Sequence, residues 1–284
     1  CPAMNQAMWR DEMTQANIRY LTDLKGKKFH SFGPADGEQA CGDIGPGRML
    51  EPSLIAEHCA KLFTSKALSG LDVVITAGPT REAIDPVRFI SNHSSGKMGY
   101  ALAEAARDAG ARVTIISGPV RLAAPEKVAV IQVDSASDML AASLGIQNNC
   151  DIFIAAAAVA DYRPVQVATQ KIKKSGEHMQ MSLVKNPDIV ATVAQLETAP
   201  FVVGFAAETQ DVADYARGKL NSKNLNMIIA NDVSNTDIGF NSDNNAVTAF
   251  WGENQQDFPR MSKSALSNDL IELIAQQYAD NKTT

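Results

Sequence analysis

The stretch LDVVITAGPTREAIDPVRFISNHSSGKMGYALAEAARDAG, Leu71–Gly110, decides the fold. It opens on an apolar, β-branched run, Asp72–Ala77, that reads as a strand buried on both faces. It closes on Gly99–Asp108, where apolar residues recur at helical spacing. Between them lies a polar loop. The same alternation recurs downstream. Strands are expected at Arg112–Ser117, Asp151–Ala156, Phe201–Gly204 and Asn226–Ala230, and again at Ala246–Trp251. Helices are expected at Ala136–Leu144, Pro187–Gln195, Asp211–Asn221 and Lys263–Ala279. Strands alternating with helices predict an α/β fold, a doubly wound and mostly parallel sheet flanked by helices. Such a sheet collects ligands beyond the carboxyl ends of its strands.

Upstream of Leu71 the composition changes. A loop-rich stretch, Gly33–Pro52, precedes a helical pattern that runs from Pro52 and is expected to stop at Gly70. A domain boundary is therefore placed at 70/71, giving 1–70 and 71–284. The 284 residues carry 26 basic and 32 acidic side chains, a net charge of −6. No basic surplus exists to neutralise a nucleic acid backbone, so nucleic acid is not an expected partner. No apolar run approaches the roughly 20 residues that span a bilayer, so no membrane partner is expected either. Cys1, Cys41, Cys59 and Cys150 are scattered without a CxxC pair, which suits a reducing cytoplasm better than disulfides or zinc. The opening CPAMNQAMW has neither a basic nor an apolar region of a signal peptide and no initiator Met. The chain is expected to begin inside a larger protein.

Chemistry is concentrated at the apparent strand ends. SNHSSGKMG, Ser91–Gly99, sets Ser94, Ser95 and Gly96 just before a helix, where free N–H groups and the helix dipole suit an anion. The same residues suit a plain N-cap and turn. The loop fits neither Walker A nor GxGxxG. In AAAAVADYRP the alanines leave room for a flat ring, and Asp161 suits a metal or a ligand hydroxyl; tight packing and a turn are the alternative. Lys171, Lys173 and Lys174 suit either a lid over a triphosphate or solvated surface. VKNPDIV starts a helix at Asn186 and Pro187, with Asp188 in its first turn. Phe205 closes a strand where an aromatic can stack on a base or cap the core. Lys219 and Lys223, four apart, share a helix face. The polar loop Ala230–Ala246 suits tight turns.

Taken in order, TAGPTREAIDPVRFISNHSSGKMG, AAAAVADYRP, KIKK, VKNPDIV, VVGFAAET and ANDVS…GFNSDNNA resemble the ligase half of the bifunctional phosphopantothenoylcysteine decarboxylase/phosphopantothenate–cysteine ligases. PAMNQAMW and GEQACGDIGPGR resemble the last motifs of the flavin-dependent decarboxylase half. The resemblance implies a Rossmann-like ligase domain preceded by a loop-rich flavoprotein fragment. It implies that CTP activates 4′-phosphopantothenate as an acyl-cytidylate, which L-cysteine then attacks, releasing CMP. Asn92 resembles the asparagine that stabilises the acyl-cytidylate, and Lys171 the flap lysine that forms it. Ala155, Ala156, Ala157, Asp161, Pro187, Asp188, Ile189, Val190, Phe205, Lys219 and Lys223 correspond to the cytidine site. Asp161 also corresponds to a contact for Mg²⁺. Gly78, Ser94, Ser95 and Gly96 are assigned to the phosphopantothenate side. Asn5 resembles the asparagine that binds the substrate carboxylate in the decarboxylase, and Cys41 the cysteine that protonates its enethiolate. FMN is implied only for the longer bifunctional protein. A homodimer through the ligase domain is implied, with higher assembly in the longer protein. The chain is expected to ligate and not to decarboxylate.

Two rival readings make different demands. An NAD(P)-dependent reductase needs a glycine fingerprint after the first strand and an acid closing the second; the sequence has AGPTREAID and Ser117–Pro119 there. A non-catalytic nucleotide-binding module has no need of Asn92 and Lys171 together.

Overall fold

The computed structural model describes residues 1–25, 29–39, 42–63, 66–146, 149–173, 177–208, 212–232 and 242–283. The chain divides into two units, Cys1–Thr64 and Ser65–Thr284. In the first, α1 (Gln6–Arg10) and α2 (Glu12–Lys25) precede an antiparallel hairpin of β1 (Ala35–Glu38) and β2 (Ile44–Arg48), then α3 (Pro52–Phe63). The expected helix running to Gly70 is corrected here: α3 ends at Phe63, and Ala67–Gly70 form a turn with Gly70 at φ +84°. Leu68 extended the apolar pattern because it enters the core of the second unit, where it is fully buried.

The second unit is built on one sheet. Its parallel strands are β3 (Asp72–Ala77), β6 (Arg112–Ser117), β7 (Ala129–Gln132), β8 (Ile152–Ala155), β11 (Phe201–Glu208) and β12 (Met227–Asp232). An antiparallel hairpin, β13 (Asn244–Trp251) and β14 (Asn254–Ser262), extends it, giving the order β14-β13-β12-β11-β8-β3-β6-β7. The chain starts in the middle at β3, builds to one edge, then returns to β8 and builds to the other. The order therefore reverses between β3 and β8, the switch point at which doubly wound sheets open a crevice. Two small antiparallel pairs, β4 (Arg81–Ala83) with β5 (Phe89–Ser91) and β9 (Tyr162–Pro164) with β10 (Leu183–Lys185), hang from the loops after β3 and β8.

Both sheet faces are covered, which is why the strands read as unbroken apolar runs. On one face α4 (Lys97–Asp108) and α8 (Lys263–Thr283) pack Leu102, Ala106, Leu266 and Leu270 over Val73, Ile75, Ile115 and Ile154. On the other, α5 (Ala136–Gly145) and α6 (Ile189–Ala194) bring Met139, Ile189 and Val193 onto Val74, Ile116, Phe153 and Val202. Each such aliphatic side chain contributes about 1.5–3 kcal/mol by burial. A smaller cluster joins α7 (Val212–Ser222) to β12 and β13 through Ala216, Leu220, Ile228 and Phe250. Ser135 and Asp138 form a capping box at the start of α5. The expected helix Pro187–Gln195 is corrected to α6: Asp188 is its N-cap, taking the Ala191 N–H at 3.1 Å, so Asn186 and Pro187 lie outside it.

Candidate functional site

Two cavities open at the carboxyl ends of β3, β8 and β11. The larger, about 300 Å³, is lined by Asn92, Ser94–Gly99, Ala156–Val159, Asp161, Phe205, Ala206, Lys219, Asn231, Asn245 and Lys263. The smaller, about 220 Å³, takes its walls from Ala155, Lys185–Val190, Gly204 and Lys223 together with Thr76 and Ala160. Ala157, Val159, Asp161 and Phe205 line both, so the two share a wall.

The alanine stretch is fixed by the loop after β3. Ala156 N–H donates to the Thr76 carbonyl at 3.2 Å, Ala157 N–H to Thr76 Oγ1 at 3.3 Å, and Ala158 N–H to the Gly78 carbonyl at 2.9 Å. Ala160 N–H donates to Thr80 Oγ1 at 3.0 Å, with Thr80 fully buried. The N–H groups of Ala156, Ala157, Ala158 and Ala160 are thus engaged, and a ring laid against them meets alanine methyls and carbonyl oxygens. Asn92 joins the same wall, its Nδ2 donating to the Val159 carbonyl at 2.9 Å.

The serine loop ends at Gly96, the N-cap of α4, at φ +76° and with no side-chain cap on the helix. Lys97, Met98 and Gly99 of its first turn line the larger cavity, and a helix N-terminus there suits an anion. A Cβ on Gly96 would lie 2.7 Å from Val120 Cγ1, and one on Gly78 would lie 2.8 Å from the same atom. Gly78 does not line either cavity. Its part is to let its loop pass close beneath Val120, with φ +74°.

Charge along the larger cavity runs against that of the whole chain. Among the described residues, Lys97, Lys219 and Lys263 line it together with one carboxylate, Asp161. Lys97 Nζ pairs with Asp243 Oδ1 at 2.6 Å. Lys263 is only 7% exposed; burial, then the neighbouring Lys97, pull its pKa down, and Asp243 opposes them in part. In the smaller cavity Lys223 Nζ pairs with Asp188 Oδ2 at 2.8 Å. Burial would raise the Asp188 pKa, but Lys223 and the Ala191 N–H outweigh it and hold the carboxyl below its ordinary value.

Of the residues expected from sequence, Asn92, Ser94, Ser95, Gly96, Ala156, Ala157, Asp161, Phe205 and Lys219 line the larger cavity. Ala155, Pro187, Asp188, Ile189, Val190 and Lys223 line the smaller. Lys219 and Lys223 thus serve adjoining cavities rather than one point. Lys171 lines neither. It is exposed, beside an anchored residue: Ile172 N–H donates to Asp85 Oδ2 at 3.2 Å and the Ile172 carbonyl takes Arg88 Nη2 at 3.1 Å. Lys174 and Cys41 lie outside the described residues. Asn5, in the first unit, caps α1 by accepting the Ala7 N–H at 2.7 Å and donates to Asp43 Oδ2 at 3.2 Å. Lys97, Lys185, Asn231, Asn245 and Lys263 were missed from sequence. Lys97 and Asn245 stood inside stretches read for their serines and turns, and Lys263 was read only as a helix start.

The DNA/pantothenate metabolism flavoprotein C-terminal domain matches residues 68–278. The chain belongs to that family. A flavoprotein family matches residues 1–64. The coenzyme A biosynthesis bifunctional protein CoaBC of Vibrio cholerae is 56% identical over 279 residues, 97% of this chain and 69% of that protein. Its Escherichia coli K12 counterpart is 50% identical over 282 residues, 98% and 69% of the two chains. Among solved structures, the C-terminal domain of a CoaBC protein aligns with TM-score 0.65 at 41% identity, over 76% of this chain and 100% of that one. That likeness agrees with the Rossmann-like, mostly parallel sheet described above. Among the described residues, no helix is long and apolar enough to cross a membrane, and no group of three His, Cys, Asp or Glu converges as a metal cage.

Proposed function

We propose that this chain is a phosphopantothenate–cysteine ligase of coenzyme A biosynthesis: it joins 4′-phosphopantothenate to L-cysteine, using CTP to activate the acid as an acyl-cytidylate. The observation that carries this reading is the convergence of Asn92, Asp161, Phe205 and Lys219 on one cavity that shares a wall with the cavity of Pro187–Val190. Residues 71–284 are assigned to the ligase and 1–64 to the end of a flavin-dependent decarboxylase domain, with 65–70 the linker that belongs to the second unit. The four cysteines, with no paired motif, fit a cytoplasmic setting.

A carboxylate resists attack by an amine, and a nucleotidyl group makes its carbonyl reactive. The smaller cavity suits the cytidine: Ala155 and Ala157 give a flat wall, Phe205 a stacking face, and backbone carbonyls acceptors for an exocyclic amine. Lys219 and Lys223, beside the shared wall, are placed to screen phosphate charge. Asn92 stands where the acyl-cytidylate forms and is held by Val159 to hydrogen-bond it. Lys171, on a segment pinned by Asp85 and Arg88, closes over the triphosphate and neutralises the charge that pyrophosphate carries away. Asp161 fits Mg²⁺, which prefers one or two carboxylates plus substrate phosphates to an all-protein cage. When bound, Mg²⁺ would withdraw charge from the triphosphate. FMN does not fit the first unit alone: no parallel sheet, and so no strand-end crevice, occurs among its described residues.

The test is pyrophosphate release from CTP and 4′-phosphopantothenate with cysteine left out. Release that requires both molecules is expected; tight CTP binding without release would instead make the chain a binding module. Lys171→Gln should lower release at least ~100-fold, the scale of losing one charge-stabilising donor. Asn92→Asp should release pyrophosphate yet convert the intermediate poorly. Near-wild-type rates in both would remove these assignments.

The assembly proposed is a homodimer through the β4–β5 and β9–β10 arms, where Val87, Phe89, Tyr162, Val165 and Val167 are all exposed. Such an apolar cluster suits a second copy of itself. Phe89→Asp should shift the sedimentation of the protein from dimer to monomer; an unchanged dimer would place the interface elsewhere.

A further inference from the structure

The segment that carries Lys171 is fastened at two points to the turn of the β4–β5 hairpin. Ala168 N–H donates to the Ile84 carbonyl at 3.0 Å. Further on, Ile172 is held on both sides of its backbone: its N–H donates to Asp85 Oδ2 at 3.2 Å, and its carbonyl takes Arg88 Nη2 at 3.1 Å. Asp85 and Arg88 are themselves an ion pair, so two charged side chains grip one residue's backbone as a neighbouring strand would. The Asp85 side chain is fully enclosed, and its two oxygens have separate partners. Oδ1 accepts the Val87 and Arg88 N–H groups, both at 2.9 Å, and shapes the turn. Oδ2 takes the Arg88 guanidinium, with Nε at 3.0 Å, and Ile172. The guanidinium holds the carboxyl well below the usual carboxylate range, so the pair stays ionised at neutral pH. The same hairpin ends at Ser91 and runs directly into Asn92.

We propose that Asp85 is a positioning residue for Lys171: with Arg88 it clips the Ile172 backbone and so fixes where Lys171 stands relative to Asn92. This rests on the ligase reading and extends it from the residues that meet the nucleotide to one that places them. With Ala168 and Ile172 both fastened, Thr169, Gln170 and Lys171 span a short interval whose ends are fixed on one turn. Lys171 then acts from a fixed base, and less ordering is left to be done at each turnover. Arg88 suits the task through its planar fork, which meets a carboxylate and a carbonyl together. Asp85 itself lines neither of the two cavities, so its effect on the reaction passes through Lys171.

Asp85→Asn can keep Oδ1 for the turn while putting a donating amide where Oδ2 accepts, which opens the clip. Trypsin acting on the native protein reads the clip directly, because the bond it cuts after Lys171 is the one whose N–H Asp85 holds. Cleavage there, identified by mass, should run about tenfold faster or more in Asp85→Asn, since local opening governs the cutting of a folded chain. An unchanged rate would overturn the clip; an equal rise at every lysine and arginine would mean general loosening and would overturn it too. Pyrophosphate release from CTP and 4′-phosphopantothenate reads the positioning. Asp85→Asn should lower kcat about tenfold or more and keep KM for CTP within about twofold, the pattern of a misplaced group rather than a lost contact. Combined with Lys171→Gln it should be no slower than Lys171→Gln alone; multiplied losses would show Asp85 acting apart from Lys171 and overturn the assignment. If Asp85→Asn fails to fold, Arg88→Lys keeps a positive charge beside Asp85 and removes the fork. It should expose the Lys171–Ile172 bond in the same way, and wild-type resistance there would overturn the clip. A wild type that resists trypsin at that bond, loses the resistance in Asp85→Asn, and releases no pyrophosphate would sink the ligase reading and leave the clip standing.

Discussion

At the amino end of the parallel sheet, Asp72 receives Arg112 Nε at 2.8 Å, and Asp151 receives Tyr278 Oη at 2.9 Å and the Asp72 N–H at 2.9 Å. Lys282 stands 3.7 Å from Asp151 and 4.6 Å from the centre of the Tyr278 ring. A cavity of about 340 Å³ opens there, no smaller than the 300 Å³ one at the carboxyl end. Both ends therefore offer concave space, lysines and aspartates. They differ in what those groups do. At the amino end the charges answer one another, and burial pushes the Cys150 thiol up to about 12, far from a nucleophile's range. At the carboxyl end a helix start without a side-chain cap borders the cavity, and Asn245 keeps an unpartnered buried oxygen. Volume does not mark the site; unanswered polarity does.

The sharpest way to break the contrast is to remove the frame of the carboxyl end. Gly118 follows β6, and its N–H donates to the Ala77 carbonyl at 2.9 Å. A Cβ there would sit 1.7 Å from the Pro79 carbonyl oxygen, a backbone atom that cannot swing aside. Gly118→Ala should displace the loops after β3 and β6 and lower the melting temperature by roughly 10 °C or more, the scale of an exceptional core lesion. Melting within a degree or two of wild type, with full ligation, would mean that these loops are not the rigid support argued here.

The sheet was legible because its strands are buried on both faces. Asp72–Ala77 and Arg112–Ser117 carry no polar alternation to confuse a strand with a surface helix, and they form as read. The edges were not. β7 is short and partly exposed, and β14 is mostly exposed, with Gln255, Gln256, Asp257 and Pro259, residues that only an edge strand tolerates. Site residues beside the first strand were legible for the same topological reason, since their motifs directly follow strands. Lys263 was not, because it meets Lys97 only through the packing of α8 against α4, and no local motif encodes that approach. Lys171 was named from its motif but stands outside both cavities, so its part depends on closure of a segment rather than on its resting position.

The smallest effect tests the amino end. Asp151→Ala removes the acceptor for Tyr278 Oη and the Asp72 N–H and the partner of Lys282. Leaving such groups unpaired costs about 1–3 kcal/mol, or roughly 5 °C in melting temperature for a domain of this size. KM for CTP and for 4′-phosphopantothenate should not move, because no reacting group lies at that end. Burial would raise the Asp151 pKa, but the Asp72 N–H, Tyr278, Lys282 and Arg112 outweigh it and hold the carboxyl below the ordinary carboxylate range. A carboxylate depressed in the folded state stabilises it fully above the unfolded pKa and loses that contribution as pH falls through the folded one. The gap in melting temperature between wild type and Asp151→Ala should therefore be full at neutral pH and close progressively below about pH 4. A gap that persists undiminished at pH 2.5, or an altered KM at neutral pH, would show that the two ends of the sheet are not divided into a structural and a chemical half.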